Sequence, residues 1–96
     1  MEKRILDVKL VSEHGMPEGS VGKFHSKLKE FIGEKYDYRH LTELIRKFGE
    51  SDVFSKPFIF TGYGYHASPE KDNQATFTIV QSYANVKFDI ELEDVV

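Results

Sequence analysis

One stretch near the end of the chain decides the fold: Val86-Lys87-Phe88-Asp89-Ile90-Glu91-Leu92-Glu93. Apolar and charged side chains alternate along it without exception. Successive side chains of a β-strand point to opposite faces, so a period of two predicts a strand with one buried and one solvated face. We expect Phe88 and its apolar neighbours to face a core and the acidic residues to face water.

A second strand is predicted directly before this one along the chain. Ala75, Phe77 and Ile79 alternate with polar or smaller residues and are expected to point inward. On the same reasoning Thr76, Thr78 and Val80 point outward. The turn that joins this strand to the next one is predicted at residues 83–85.

A third strand is predicted for residues 58–66, after Pro57, because proline can open a strand but not continue a central one. Both alternating sets of side chains are bulky here, so the inward set is chosen on Phe58 and Phe60. That choice places Gly62 and Gly64 on the covered face. Tyr63 and Tyr65 then face outward, and residues 67–73 form a hydrophilic hairpin loop.

The first strand is predicted at residues 4–11, near the N-terminus. Leu6, Val8 and Leu10 alternate with charged residues and are expected on the buried side. Ile5 and Val11 then fall on the wetter side.

Two helices are predicted between the first strand and the others. Ser20 is a candidate N-cap for a helix at residues 21–32, and Gly33 is placed to end it in a left-handed conformation. Asp37 is a candidate N-cap for a second helix, which carries apolar residues at helical spacing and reaches Gly49 as its stop: Leu41, Leu44, Ile45 and Phe48.

The predicted order of elements is therefore β-α-α-β-β-β within a single α+β domain spanning residues 1–96. We expect a four-stranded antiparallel sheet with both helices packed on one face. A mixed sheet stays open at this point, because the sequence does not place the first strand within the sheet.

The amino-acid composition excludes several kinds of binding site and reaction. The chain has no cysteine, which excludes disulfides, zinc–thiolate sites, iron–sulfur clusters and thiol nucleophiles. Its first residues run directly into an alternating segment, without the apolar stretch of a signal peptide or of a membrane span. We expect a cytoplasmic protein that uses no cofactor and does not contact a membrane.

Patterns that suggest catalysis or metal binding are weak. The glycines of Gly62-Tyr63-Gly64 precede no predicted helix N-terminus that could hold a phosphate. His40 and Glu43 form an i, i+3 pair on one helix, but a carboxylate-bridged metal site needs this motif twice. The acidic row of the last strand lies on an open face that would not raise a carboxyl pKa. No metal site is predicted.

The outward side of the sheet is the predicted functional surface. Tyrosines framed by polar residues suit protein contacts, because they bury a large area at small entropic cost. The predicted partner-binding residues are Tyr63, Tyr65, Thr76, Thr78 and Glu91. We therefore expect a small non-enzymatic binding module directed at a protein, such as an adaptor or inhibitor of the kind found in phages and mobile elements. Its outer sheet face could also support a homodimer through an apolar patch of four residues: Ile59, Tyr63, Tyr65 and Val80.

Two alternatives remain. Lys23, Lys27 and Arg39 could form a basic helical face, as in an accessory protein that binds nucleic acid. The formal net charge of −3 and the interleaved acids argue against this function. The third hypothesis is a small enzyme without a recognisable motif.

Overall fold

A computed structural model describes residues 2–54 and 62–95 of the chain. The elements are β1 (Lys3–His14), α1 (Ser20–Lys29), α2 (Tyr38–Phe48), a π-helical turn (Gly49–Val53), β2 (Gly64–Ala67), β3 (Gln74–Gln81) and β4 (Ala84–Asp94). This succession confirms the predicted order β-α-α-β-β-β.

The four strands form one sheet in the order β1-β4-β3-β2, and all three neighbouring pairs are antiparallel. β1 therefore lies at one edge and pairs with the last strand of the chain. The chain passes from β1 through both helices to β2 at the opposite edge of the sheet. The β2-β3-β4 meander then leads back, so that β4 lies beside β1. The antiparallel alternative is thus the correct one.

Both helices pack on one face of this sheet, where the inward side chains of β3 and β4 form the core. Phe77, Phe88 and Ile90 are fully buried there, together with Phe24 from α1 and Ile45 from α2. The alternation predicted for the last two strands is confirmed, because Thr76, Thr78 and Val80 and the charged residues of β4 are all more exposed than the inward-facing residues beside them.

The inward set predicted for the first strand is wrong at Ile5 and Leu6. Ile5 is 3% exposed and Leu6 is 47% exposed. The β1–β4 pairing shifts register between Ile5 and Asp7, so one extra residue of β1 stands opposite β4. A β-bulge of this kind reverses the alternation on one side of it, so Ile5 and Val8 both face the core.

The predicted helix ends differ from the observed ones. The N-cap of α1 is Gly19 in a left-handed conformation, and Ser20 is the first helical residue, with its hydroxyl donating to the Pro17 carbonyl at 2.7 Å. Asp37 is the N-cap of α2 as predicted and accepts from the backbone N–H groups of Arg39 and His40. Gly49 does not stop α2, since it is helical itself and leads into the π-helical turn.

The strand predicted at residues 58–66 is a strand only from Gly64 onward among the described residues. Pro57, Phe58 and Phe60 lie outside them. Gly64 pairs with Val80, whose side chain points away from the helices, so the prediction that Gly64 lies on the covered face is wrong. The hairpin loop before β3 is tight, because Asp72 and Asn73 both adopt positive φ and Lys71 bridges to Gln74.

Candidate protein-binding surface

The outer face of the sheet consists of the side chains that point away from the helices. Within the described parts of the chain, no helix or strand packs against it. Register and alternation assign the following residues to this outer face: Arg4, Asp7, Lys9, Thr76, Thr78, Val80, Lys87, Asp89, Glu91 and Glu93.

Three of the predicted partner-binding residues lie together on the outer face. Thr76 is paired with Asp89, and Thr78 is paired with Lys87 on the neighbouring strand. Glu91 follows Asp89 on the same side of β4, so it lies diagonally across from Thr76. Each of the three is partly accessible to solvent.

The acidic row of β4 consists of Asp89, Glu91 and Glu93. Cations of β1 neutralise part of this row. Lys9 Nζ lies 2.8 Å from Glu91 Oε1, and Arg4 Nη2 lies 2.6 Å from Glu93 Oε2. The hydrogen bond to Glu91, together with its charge, raises the pKa of Lys9. These pairs are exposed, so they contribute little to stability and can exchange for ion pairs with a partner.

The prediction that Tyr65 faces outward is wrong. Tyr65 is 6% exposed, and its ring centre lies 6.1 Å from that of Phe24 in an edge-on contact. It pairs with Ile79, which faces the core, so it points the same way. Burial raises the pKa of the Tyr65 hydroxyl to about 12. Gly62 has a positive φ and β2 starts only at Gly64, so alternation counted from Phe58 does not continue to Tyr65.

Tyr63 is also directed toward the core side. Its ring is stacked on that of Phe54, with centres 4.4 Å apart and planes 2° apart. The side chain is half-buried, and burial raises the pKa of its hydroxyl. Tyr63 therefore does not stand on the outer face beside Thr76 and Thr78.

The homodimer prediction loses most of the apolar patch on which it depended. That patch combined Ile59, Tyr63, Tyr65 and Val80. Tyr63 and Tyr65 contact the core, and Ile59 lies outside the described residues. Val80 remains exposed on the outer face.

The predicted nucleic-acid-binding residues do not converge on one patch. Lys27 lies beside the end of α2, where its ammonium is 5.4 Å from the centre of the Phe48 ring and 3.3 Å from Glu30 Oε1. Arg39 lies at the start of α2 against Tyr38. At about 1.5 Å of rise per residue, Arg39 and Phe48 are roughly 13 Å apart along the helix. Lys23 is exposed one turn before Lys27 on α1.

The His40 and Glu43 pair is not arranged as a metal site. Glu43 instead pairs with Arg46, which lowers the pKa of the Glu43 carboxyl. Among residues 2–54 and 62–95, no three histidine, aspartate or glutamate side chains are grouped so that they could hold a metal ion.

Sequence reasoning missed one surface, at the outer edge of β1. Leu10 and Val11 are 40% and 50% exposed there, and Leu10 borders a groove whose opposite wall includes Val21 and His25 of α1. A signal was present, since both apolar residues fall in a predicted strand. It could not be read without knowing that β1 is an edge strand.

Comparison with protein-family models, curated proteins and solved structures found no match for this chain. In the part of the chain that the structure describes, no helix combines the length and the apolar character needed to cross a membrane.

Proposed function

We propose that this chain is a non-enzymatic module that binds another protein through the outer face, with Thr76, Thr78 and Glu91 at the centre of the contact. The observation that carries the proposal is that both helices cover the same face of the sheet. The opposite face is left to solvent by the described residues, and its side chains mix hydroxyl, apolar and ionic groups.

The outer face is of a suitable size for such a contact. β4 has 11 residues, and the sheet has four strands. At about 3.3 Å per residue and 4.8 Å between strands, the face covers roughly 500–700 Å². Stable interfaces bury about 800 Å² per partner, so a partner needs to engage nearly all of this face and extend past its border.

The charges of the outer face favour a partner with basic residues. Asp89 lies between Thr76 and Lys9, and the pairings of Glu91 and Glu93 with β1 cations are solvent-exposed. A basic partner side chain can bind this row, while the threonine hydroxyls supply both donors and acceptors. An adaptor or an inhibitor acts in this way, and we place it in the cytoplasm because a chain without cysteine needs no oxidising compartment.

The experiment is affinity capture from the native host with immobilised wild-type chain, followed by titration of the captured protein. The outer-face variant is Thr78→Arg with Glu91→Arg, and the control is Lys23→Glu on exposed α1. We expect the outer-face variant to lose at least about tenfold in affinity, which is about 1.4 kcal/mol, while the control binds normally. Matching melting curves for all three proteins show that the fold is retained.

The opposite result contradicts the proposal. If Lys23→Glu abolishes binding and the outer-face variant does not, the helical side carries the function. A captured nucleic acid whose binding falls steeply with salt concentration would support the accessory-protein alternative with Lys23, Lys27 and Arg39.

A further inference from the structure

The outer edge of β1 is covered along its first residues only. Ile5 N donates to the Glu34 carbonyl at 2.9 Å, and Gly33 N donates to the Ile5 carbonyl at 2.8 Å. Tyr36 N donates to the Lys3 carbonyl at 2.7 Å. The segment after α1 thus acts as a short extra strand beside Lys3 and Ile5 and ends there.

Beyond the bulge at Leu6, the same edge turns to a different set of contacts. The Val8 N–H donates to the Asp7 carboxylate at 2.8 Å, and the Val8 carbonyl lies 2.9 Å from His25 Nε2. The backbone N–H and C=O groups of Val8 therefore point away from β4. The backbone groups of Leu10, two residues later, point the same way, because the direction of these groups alternates from one residue to the next along a strand.

Residues 10–13 form the free edge of β1. Within residues 2–54 and 62–95, no backbone group outside β4 hydrogen-bonds to Leu10 or to Glu13. Exposed edge N–H and C=O groups are a template for pairing with another strand. The second register shift, at Val11, limits regular pairing to a few residues.

A groove of about 480 Å³ runs alongside the free edge. Leu10 and Glu13 form one wall, and Val21, Gly22 and His25 of α1 form the other. Met16 and Pro17 close one side with further apolar surface. The carboxylates that line the groove are those of Glu13 and Glu18.

We propose that the free edge of β1 binds an extended peptide segment of another protein as an added strand. One bulky apolar side chain of this segment enters the groove between Leu10 and Val21, and a neighbouring basic side chain pairs with Glu13 and Glu18. The main-chain hydrogen bonds supply affinity, and the groove supplies specificity. This surface is separate from the outer face, and an adaptor needs two surfaces.

Charge and geometry favour a foreign peptide over a second copy of this chain. A symmetric antiparallel pair centred on Lys9 places Lys9 opposite its own copy, which is destabilising. A pair centred on Val8 drives Val11 toward the edge that Gly33 and Glu34 already cover. A pair centred on Leu10 puts no cation in either groove, because Lys9 points to the outer face.

The test is selection of a random phage-displayed peptide library on the full chain, followed by titration of the synthetic winners. We expect peptides with a large apolar residue and a lysine or arginine close to it. Gly22→Trp should reduce their affinity at least tenfold, because a Cβ at Gly22 meets nothing within 4 Å and the indole can fill the groove. Gly22→Ala is the matched control and should bind normally.

Two further variants separate the edge from the groove. Leu10→Pro removes an N–H that faces away from β4, so it should abolish binding while the sheet persists. Glu13→Lys with Glu18→Lys should shift the selected peptides from basic to acidic. Thr78→Arg on the outer face should leave peptide binding unchanged, so failure here is distinguishable from failure of the proposed function.

Three outcomes overturn the proposal. The selection can yield no enriched peptide, or the enriched peptides can bind Gly22→Trp as tightly as they bind Gly22→Ala. Sedimentation can instead show a dimer of the wild-type chain that Leu10→Pro dissociates, in which case the occupant is a second copy.

Discussion

Gly49 and Tyr65 pack against each other in the core, so the size of each residue limits the size of the other. The Tyr65 hydroxyl lies where a Cβ on Gly49 would stand, so any larger residue at this position collides with the ring. Gly49 is helical with φ −61°, so its glycine is required by space and not by backbone conformation. The Tyr65 hydroxyl is buried and has no hydrogen-bond partner among the described residues.

This contact predicts a reversal of the usual effect of Gly→Ala in a helix. Such a change normally stabilises by about 1 kcal/mol, whereas Gly49→Ala should destabilise by about 1–3 kcal/mol through overpacking. Tyr65→Phe alone should leave the melting temperature unchanged or raise it, because it removes a buried hydroxyl without a partner. In the double variant, the cost of Gly49→Ala should shrink by at least about 1 kcal/mol.

Urea unfolding of the four proteins measures the coupling, with Gly22→Ala as the control for a helical glycine in open space. Additive effects of Gly49→Ala and Tyr65→Phe would show that the two residues do not compete for the same space. Tyr65→Ala should destabilise the domain strongly, because the Tyr65 ring is buried in the core against Phe24.

Burial of Tyr65 predicts a loss of stability in alkali. Its pKa is raised to about 12 in the folded chain, from 10.0 for an exposed tyrosine, because burial disfavours the phenolate. The folded state therefore retains a proton that the unfolded state loses, and the resulting stability is complete below pH 10 and disappears as the pH rises through 12.

Urea unfolding between pH 9 and pH 12 checks this prediction against Tyr65→Phe. The wild-type free energy of unfolding should fall more steeply than that of the variant. Tyr36, whose pKa is also raised by burial, leaves a residual slope in both proteins. Equal slopes would mean that Tyr65 ionises as readily in the folded chain as in the unfolded one.

Among the elements, β4 contributes most to the stability of the sheet, because it lies between β1 and β3 and pairs with both along its length. Its apolar side chains are completely or almost completely buried, and Phe88 contacts His25 of α1 as well. A defect in β4 therefore disturbs both neighbouring strands and the helix above them.

Phe88→Ala should destabilise by about 3–5 kcal/mol, because it empties the centre of this strand. Small domains have a total stability of about 5–15 kcal/mol, so the melting temperature should fall sharply. Glu91→Gln on the opposite face should change the free energy of unfolding by less than about 0.5 kcal/mol. Thermal unfolding followed by circular dichroism compares the two, and an unchanged melting temperature for Phe88→Ala would contradict the assignment of the buried face.

For the whole molecule, the arrangement of the outer face predicts the oligomeric state. Val80 is an exposed large apolar residue of this face, and the charged row of β4 lies between it and the exposed Leu6 and Val11 at the two register shifts of β1. Such scattered apolar residues do not form the continuous patch that a stable homodimer buries.

We therefore expect a monomer in sedimentation equilibrium across the concentration range in which the protein stays soluble. A dimer that dissociates on Val80→Glu would restore the homodimer through the outer face. A dimer that persists in that variant but dissociates on Leu10→Pro would place the contact at the free edge of β1.

The order of elements and the buried faces of β3 and β4 follow from the sequence alone. Unbroken alternation in each strand leaves one way to bury the apolar set, and helical spacing with Asp37 as N-cap identifies α2 in the same local manner. Thr76, Thr78 and Glu91 were assigned to the outer face for this reason.

Tertiary structure alone decided the rest, because the deciding contacts join residues far apart in sequence. Alternation cannot count through a bulge, so Ile5 and Leu6 exchange faces in β1. The same limit applies at Gly62, after which pairing with Ile79 and contact with Phe24 turn Tyr65 inward. The position of β1 at the edge depends on its pairing with β4, and with it the free edge that the sequence could not reveal.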